Sequence, residues 1–266
     1  MAIRFKSLRS SSSGNSLLLW TDTTKIVIDC GLGSMKKTRQ ILTEAVDDIA
    51  SINAVIISHM HSDHISYYPL RVIEEAGLPV WAYEDSVEQM KDKHFNGYGF
   101  GGLKLDSFGE SKFEIGDIVI EPFRLQHHPD FATFGFVIQY KHRNQWKKIV
   151  TATDFYNGKG LTDYFKDADF IFVESNHDLE LLRQFYNPNS RYHLSNPKTS
   201  GLLYDIQATS NNNQRKVMLG HLSRQRNTND LAVKEVKSFF AGQKTKIDFE
   251  LLTASADSES EAIELV

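Results

Sequence analysis

The sequence predicts an α/β sandwich, and three observations carry that prediction. The first half of the chain opens with strand-like segments and then alternates helix with strand. The second half repeats the same order, without any short-period repeat. Four apolar strand-like segments, spread over both halves, run directly into histidine or aspartate.

Taken in order, Ile3 to Leu8 reads as a short strand, followed by a run of small residues from Ser10 to Ser16. Leu17 to Trp20 and Lys25 to Asp29 are two strands joined at Thr21-Asp22-Thr23-Thr24, an antiparallel opening unlike a dinucleotide-binding start. Gly31-Leu32-Gly33 is a turn. Ser34 to Ala45 has helical spacing, with Ile41, Leu42 and Ala45 on one face. Ala54 to Ser58 is a continuous apolar run suited to a buried strand. Tyr67 to Glu75 is a helix closed by Gly77 and Pro79, Val80 to Tyr83 a strand, and Ser86 to Lys93 a helix with Ser86 placed to cap it. Asn96 to Gly102 is a glycine-rich loop bearing aromatics. Strands are expected at Phe113 to Ile115, Ile118 to Leu125, Phe134 to Tyr140, Lys148 to Thr153, Phe170 to Glu174, Lys216 to Gly220 and Asp248 to Leu252, with a helix over Leu231 to Phe240. The acidic tail from Ala256 reads as a frayed end.

At 266 residues the chain is long enough for one large domain or two small ones. Its 41% hydrophobic and 24% charged content is ordinary for a globular protein. A net charge of −4 advertises no global basic field for nucleic acid, although bound metal ions supply positive charge locally. One cysteine, Cys30, excludes an internal disulfide framework and reads as a buried apolar thiol. No segment approaches the length of a membrane span and no apolar leader is visible, so the expectation is a cytoplasmic protein without a membrane partner. Nothing in the sequence sets an oligomeric state.

The chemistry concentrates at His59-Met60-His61-Ser62-Asp63-His64, which packs three imidazoles and a carboxylate into six residues at the end of an apolar strand. Imidazole and carboxylate without a nearby thiolate suit zinc, manganese or iron, and such sites hydrolyse substrates when they keep positions open for water. Alternate side chains along the turn allow His59 and His61 to face one ion while Asp63 and His64 face a second. Three later strands end in the same way, at His127-His128, at Asp154 and at His221. Singly, each has a plain explanation as a turn or capping residue; in series they describe a metal centre.

The order His-x-His-x-Asp-His, His, Asp, His resembles that of the metallo-β-lactamase fold superfamily over nearly the whole chain. Ser13-Gly14-Asn15-Ser16, Thr153-Asp154, Glu174-Ser175-Asn176-His177-Asp178, His193-Leu194-Ser195-Asn196 and Gly220-His221-Leu222-Ser223 resemble its YycJ/WalJ-type branch, bacterial and phage hydrolases associated with DNA exonuclease activity. The resemblance implies a four-layer αββα sandwich, with residues 1–266 as a single domain that includes the acidic tail at about 256–266. It implies two divalent metal ions, Zn2+ first, with Mn2+ or Fe as alternatives. His59, His61 and His127 would hold one ion, Asp63, His64 and His221 the other, with Asp154 bridging. For the third ligand, continuing the strand pattern from Phe123 points to His127, whereas counting back from Gly135 points to His128; His127 is preferred because loops absorb insertions more readily than strands.

The implied reaction is phosphodiester hydrolysis by a hydroxide held between the two ions, with DNA as the substrate. Asp63 and Asp154 are the catalytic carboxylates, and Asp63 also orients the hydroxide or takes up its proton. His193 is the candidate to contact the scissile phosphate or protonate the leaving oxygen. Ser195, Asn196 and Ser223 are candidate phosphate donors, and Glu174, Asn176 and His177 candidates for orienting the ligands. Arg191, Arg224 and Arg226 flank the expected mouth and suit a polyanion. The alternative is hydrolysis of a small ester, thioester or lactone on the same dinuclear site, with the Tyr98-Gly99-Phe100 loop either lining an apolar pocket or, for nucleic acid, stacking on a base. A binding module that has lost catalysis is the third reading, disfavoured because every expected ligand type is present.

Overall fold

A computed structural model describes residues 2–95, 99–211 and 215–266. Tyr98 and its neighbours at 96–97 therefore lie outside the described residues. The chain begins with β1 (Ile3–Ser11), β2 (Gly14–Trp20) and β3 (Lys25–Ile28), an antiparallel meander. Helix α1 (Met35–Val46) follows, and the Ser34 side chain accepts a hydrogen bond from the Lys37 amide at its N-terminus. From β3 onward the first sheet is parallel: β4 (Ala54–Ile56), α2 (Tyr67–Glu75), β5 (Pro79–Tyr83), α3 (Ser86–His94) and β6 (Lys104–Phe108) alternate along it. Ser86 is the first residue of α3 and is buried; Asp85 occupies the cap position, so the expected serine cap is not formed.

The second sheet repeats the plan. Strands β7 (Phe113–Ile115), β8 (Ile118–Leu125), β9 (Thr133–His142) and β10 (Gln145–Ala152) form a meander. After α4 (Thr162–Phe165), β11 (Phe170–Glu174) adds parallel to β10. Helices α5 (Leu179–Gln184) and α6 (Asn196–Thr209) lead to β12 (Lys216–Gly220), and α7 (Asn229–Gly242) leads to β13 (Glu250–Thr253), both strands again parallel. The last strand, β14 (Ile263–Leu265), returns to the first sheet beside β1.

Apolar side chains sort into three layers. Phe5, Ile28, Phe134, Phe136, Phe170 and Phe172 fill the space between the sheets. Ile41, Leu42, Leu70 and Ile73 of α1 and α2 cover the outer face of the first sheet at Val27, Val55 and Val80. Leu202, Leu203, Ile206, Val236 and Phe240 of α6 and α7 cover the second at Val150, Ile171 and Val217. Each fully buried side chain of this kind stabilises the fold by roughly 1.5–3 kcal/mol. The arrangement is the expected αββα sandwich. Among the described residues, no helix is long and apolar enough to cross a membrane.

Two segments correct the sequence reading. The tail is not frayed: Ile263 and Leu265 alternate inward while Glu264 faces out and pairs with Arg4 at 3.1 Å. An acidic composition hid a period-two pattern only three residues long. Strand β6 was not anticipated either, because Lys104-Leu105-Asp106-Ser107-Phe108 is an edge strand whose polar residues face solvent.

The topology gathers strand ends. Because β9 runs antiparallel between β8 and β10, strands β8, β10, β11 and β12 share one direction, and their C-terminal ends lie along one rim. Strands β3 and β4 do the same in the first sheet. At that rim the chain makes a close backbone approach. A Cβ on Gly31 would lie 1.7 Å from the Asp63 carbonyl oxygen, and one on Gly14 would lie 2.4 Å from the Gly31 carbonyl oxygen. Only glycine lets these three backbones touch. Gly31→Ala is expected to cost about 3 kcal/mol, as a buried clash against backbone that cannot yield. Urea unfolding checks this, and unchanged stability would refute the clash.

Cys30 is fully buried, and burial, reinforced by the Asp29 carboxylate, pushes its thiol up to about 12. Ellman's reagent at pH 8 should leave the native thiol unmodified and titrate it fully in guanidinium. Rapid labelling of the native protein would show that the rim opens.

Candidate metal centre

Six strand ends deliver the polar side chains of the rim. Asp29 follows β3, the segment His59 to His64 follows β4, His127 follows β8, Asp154 follows β10, Glu174 ends β11 and His221 follows β12. Three of these residues have left-handed backbone, with φ of 61° at Asp29, 62° at Asp154 and 51° at His221. Side chains at such positions leave the strand's alternating pattern and turn over the end of the sheet. The cost falls at functional rims when the surrounding fold over-determines the turn.

Three donor groups meet there. His59, His61, His127 and Asp154 offer ligand atoms that all lie within 4.8 Å of one another, as do Asp63, His64 and His221, and as do Asp154, Glu174, His193 and His221. In the first group His59 Nε2 stands 2.8 Å from His61 Nδ1, and His127 Nε2 stands 3.2 Å from the same atom. The two oxygens of Asp154 divide between the sides: Oδ1 is 3.8 Å from His127 Nε2, and Oδ2 is 3.1 Å from His64 Nε2 and 3.6 Å from His221 Nδ1. His128 remains outside, part-exposed and 3.4 Å from Asp130.

Electrostatics splits the rim in the same way. Burial holds His59 well below the ordinary imidazole range and brings His61 down to about 4, with neighbouring imidazoles adding to both. Burial also lowers His127. On the other side burial works against the charged form and loses. Asp29, Asp154 and Asp63 raise His64 well above its usual value, and Asp154, Asp63 and Glu174 bring His221 up to about 10. The carboxylates respond in kind: against the pull of burial, His221 and His64 hold Asp154 well below the carboxylate range, and His193 and His221 hold Glu174 at about 2.

This donor set fits divalent cations. Three neutral imidazoles aim nitrogen atoms at one point, where their lone pairs repel unless a cation stands between them. Among the described residues, buried Asp154 Oδ2 and His221 Nε2 make no well-aligned hydrogen bond, their facing groups being His64 Nε2 at 3.1 Å and Asp63 Oδ2 at 3.6 Å.

A second set of contacts fixes the donors. Asp29 Oδ2 accepts from His64 Nδ1 at 2.7 Å and from Ser58 Oγ at 2.7 Å, leaving His64 Nε2 for the rim. Glu174 Oε1 accepts from His221 Nδ1 at 2.7 Å and from His193 Nδ1 at 2.8 Å, while its Oε2 accepts from the amides of Phe155 and Leu194. His127 Nδ1 donates to the Tyr192 carbonyl at 3.0 Å. Asn15, in the small-residue run, donates its amide N–H to the Asp63 carbonyl at 2.8 Å and its side chain to Asp63 Oδ2 at 3.3 Å. Asn176 donates to the His221 carbonyl at 3.0 Å. Of these, Asp29 and Asn15 carried no ligand-orienting role in the sequence reading; the turn after Ile28 was the one available signal for Asp29.

A cavity of about 230 Å³ opens over the donors. His61, Asp63, Asp154, His193 and His221 line it, with Ser12, Asn176, Asn187, Asn189, Ser190 and Arg226 completing the wall. Ser12 lies in the turn between β1 and β2, and Asn187 caps a 3-10 helix over Pro188–Tyr192; no motif marks either. His193 reaches the rim, 3.7 Å from Asp154 Oδ1. The expected phosphate donors lie elsewhere. Asn196 is fully buried and its amide is used by Ser175 and Asn227. Ser195 sits at the α6 cap position beside a neighbouring hollow, and buried Ser223 donates its amide to the Asn176 carbonyl. His177 lines that neighbouring hollow and belongs to none of the donor groups. Arg226 faces the cavity, whereas Arg224 is paired with Asp257. Phe100 packs against Tyr67 and Phe95 beneath the outer helices.

Comparison with known proteins agrees with the geometry. The chain is 29% identical to an exodeoxyribonuclease WalJ of Streptococcus pneumoniae over 284 aligned positions, covering 100% of this chain and 99% of that protein. It is also 29% identical to an exodeoxyribonuclease YycJ of Bacillus anthracis, covering 93% of this chain and 95% of that one. The metallo-β-lactamase fold protein YhfI from Bacillus subtilis superposes with a TM-score of 0.75 at 17% identity, over 100% of both chains. The profile of the β-lactamase superfamily domain matches residues 24–221, from β3 through the last rim histidine, and the chain belongs to that superfamily.

Proposed function

We propose that this protein is a metal-dependent phosphodiesterase acting on DNA as an exonuclease, with two divalent cations, Zn2+ foremost and Mn2+ or Fe as alternatives. One observation carries the reading: a single buried carboxylate, Asp154, turns one oxygen to each of two donor sets. His59, His61 and His127 would hold one ion, Asp63, His64 and His221 the other, with Asp154 between them. The names of the two bacterial relatives, spanned almost end to end by this chain, support DNA as substrate. A cytoplasmic location is part of the same proposal.

Bound cations of this kind lower the pKa of water and neutralise charge that develops on phosphoryl oxygens. The chain's own groups do the rest. Asp63 Oδ2 lies 3.6 Å from His221 Nε2 and His64 Nε2, where it accepts a proton from water at the rim. Glu174 Oε1 accepts from His193 Nδ1 and orients the imidazole, leaving Nε2 to reach the leaving oxygen. Arg226 and the amides of Asn187 and Asn189 give the cavity a polar, donor-rich wall suited to an anionic diester. That wall suits an anionic diester better than a neutral thioester or lactone.

Metal analysis and thermal melting test the ligand assignment. Chelation should lower the melting temperature and Zn2+ should restore it, since a ligand that binds only the folded state stabilises it. His127→Ala should lose bound metal, whereas His128→Ala should keep it; the reverse pattern would exchange the third ligand.

Incubating the reconstituted protein with end-labelled DNA, RNA, a small phosphodiester, a thioester and a lactone tests the reaction. DNA should be cleaved, and Asp154→Ala should reduce the rate by about a thousandfold or more, a loss typical of removing a central electrostatic element. Thioester or lactone turnover without DNA cleavage would sink the nuclease reading.

A further inference from the structure

The rim cavity adjoins a second hollow of about 270 Å³ beneath α5, and Asn187, Ser190 and His193 line both. Leu179, Leu182, Tyr186 and Pro188 give the second hollow apolar walls, and Arg191 and Lys198 supply its cations; no carboxylate lines it. The acids of α5 are engaged elsewhere. Asp178 Oδ1 accepts from the Glu180 and Leu181 amides, and Glu180 pairs with Arg183 at 3.0 Å. The surface beside the hollow is unusually apolar. Among the described residues, Leu179, Phe185 and Tyr186 are three of the six large hydrophobic side chains that stand exposed, with Tyr186 at 78%. Exposed aromatics clustered at the mouth of a functional cavity mark a binding surface.

We propose that this hollow is a nucleobase subsite: it takes the base of a nucleotide next to the phosphate held at the rim, with Tyr186 as its stacking face. The inference rests on the DNA reading and adds that the substrate end must be unpaired. A base inside a duplex has both faces stacked and its edge paired, so it enters a walled hollow only after leaving the helix. Aromatic faces with flanking cations hold single strands without regard to sequence, the aromatic supplying stacking and the cations tracking the backbone. His193, common to both hollows, stands where the sugar-phosphate must cross between them.

The test uses the full zinc-reconstituted chain and a short fluorescein-labelled single-stranded oligonucleotide, its linkages phosphorothioate to block turnover. Tyr186→Ala should weaken binding by about tenfold, the usual worth of one base–aromatic stack, while Tyr186→Phe binds like the parent. Abasic residues at the last two positions of one end should weaken the parent by the same factor. Combined with Tyr186→Ala they should cost nothing more, and a blunt duplex should bind more weakly than the single strand. Unchanged binding by Tyr186→Ala, multiplicative losses in the combination, or equal binding of blunt duplex would each overturn the subsite. Cleavage of unmodified DNA by the parent is scored separately, so a nuclease without this subsite and a DNA-binding protein without nuclease activity give different results.

Discussion

Burial of charge at the rim is the constraint on which the rest depends. Asp154, Glu174 and Asp29 are almost wholly removed from water, and an uncompensated carboxylate in such a place costs several kcal/mol. The chain meets that cost with imidazoles brought from three strand ends. His64 and His221 take protons in answer to the carboxylates around them, while His59, His61 and His127 stay neutral. Such an arrangement is stable only when every donor is held in place, which explains how many contacts are given to orientation. Asp29 fixes His64, Glu174 fixes His193 and His221 together, and the Tyr192 carbonyl fixes His127.

The sheets exist in a form that serves this constraint. Each is half meander and half parallel, and the parallel halves bring strand ends to the same rim. The meanders contribute differently. The β1–β2 hairpin brings Asn15 against Asp63, and the glycine contacts at Gly14 and Gly31 bring three backbones close enough to lock the histidine loop. Loop geometry and sheet geometry are therefore set by the same few contacts.

Much of this is legible in the sequence because the signals are local. An apolar run followed by histidine or aspartate announces both a strand and its end, so Ala54 to Ser58, Ile118 to Leu125 and Lys216 to Gly220 could be placed along with the donors that follow them. The donor atoms of His59, His61 and His127 converge with Asp154, those of Asp63, His64 and His221 converge beside them, and His221 also gathers with Asp154, Glu174 and His193. What escaped was non-local. Asp29 looks like the end of an ordinary strand until His64 is seen against it. Asn196 looks like a phosphate donor until Ser175 and Asn227 are found using its amide. Strand β14 has too few residues to show a period, and its pairing partner lies at the opposite end of the chain.

The left-handed residues at the rim have a consequence for how this protein tolerates change. Asp29, Asp154 and His221 each hold a backbone conformation that costs an L-residue about 1–2 kcal/mol. Glycine at any of them would relax the main chain and delete a side chain that the rim requires. Leaving the facing charges buried and unpaired costs about 3–5 kcal/mol, more than a relaxed main chain returns. The strained conformation at these three positions is therefore held in place by the charges around it, and a library screened for stability alone would retain it.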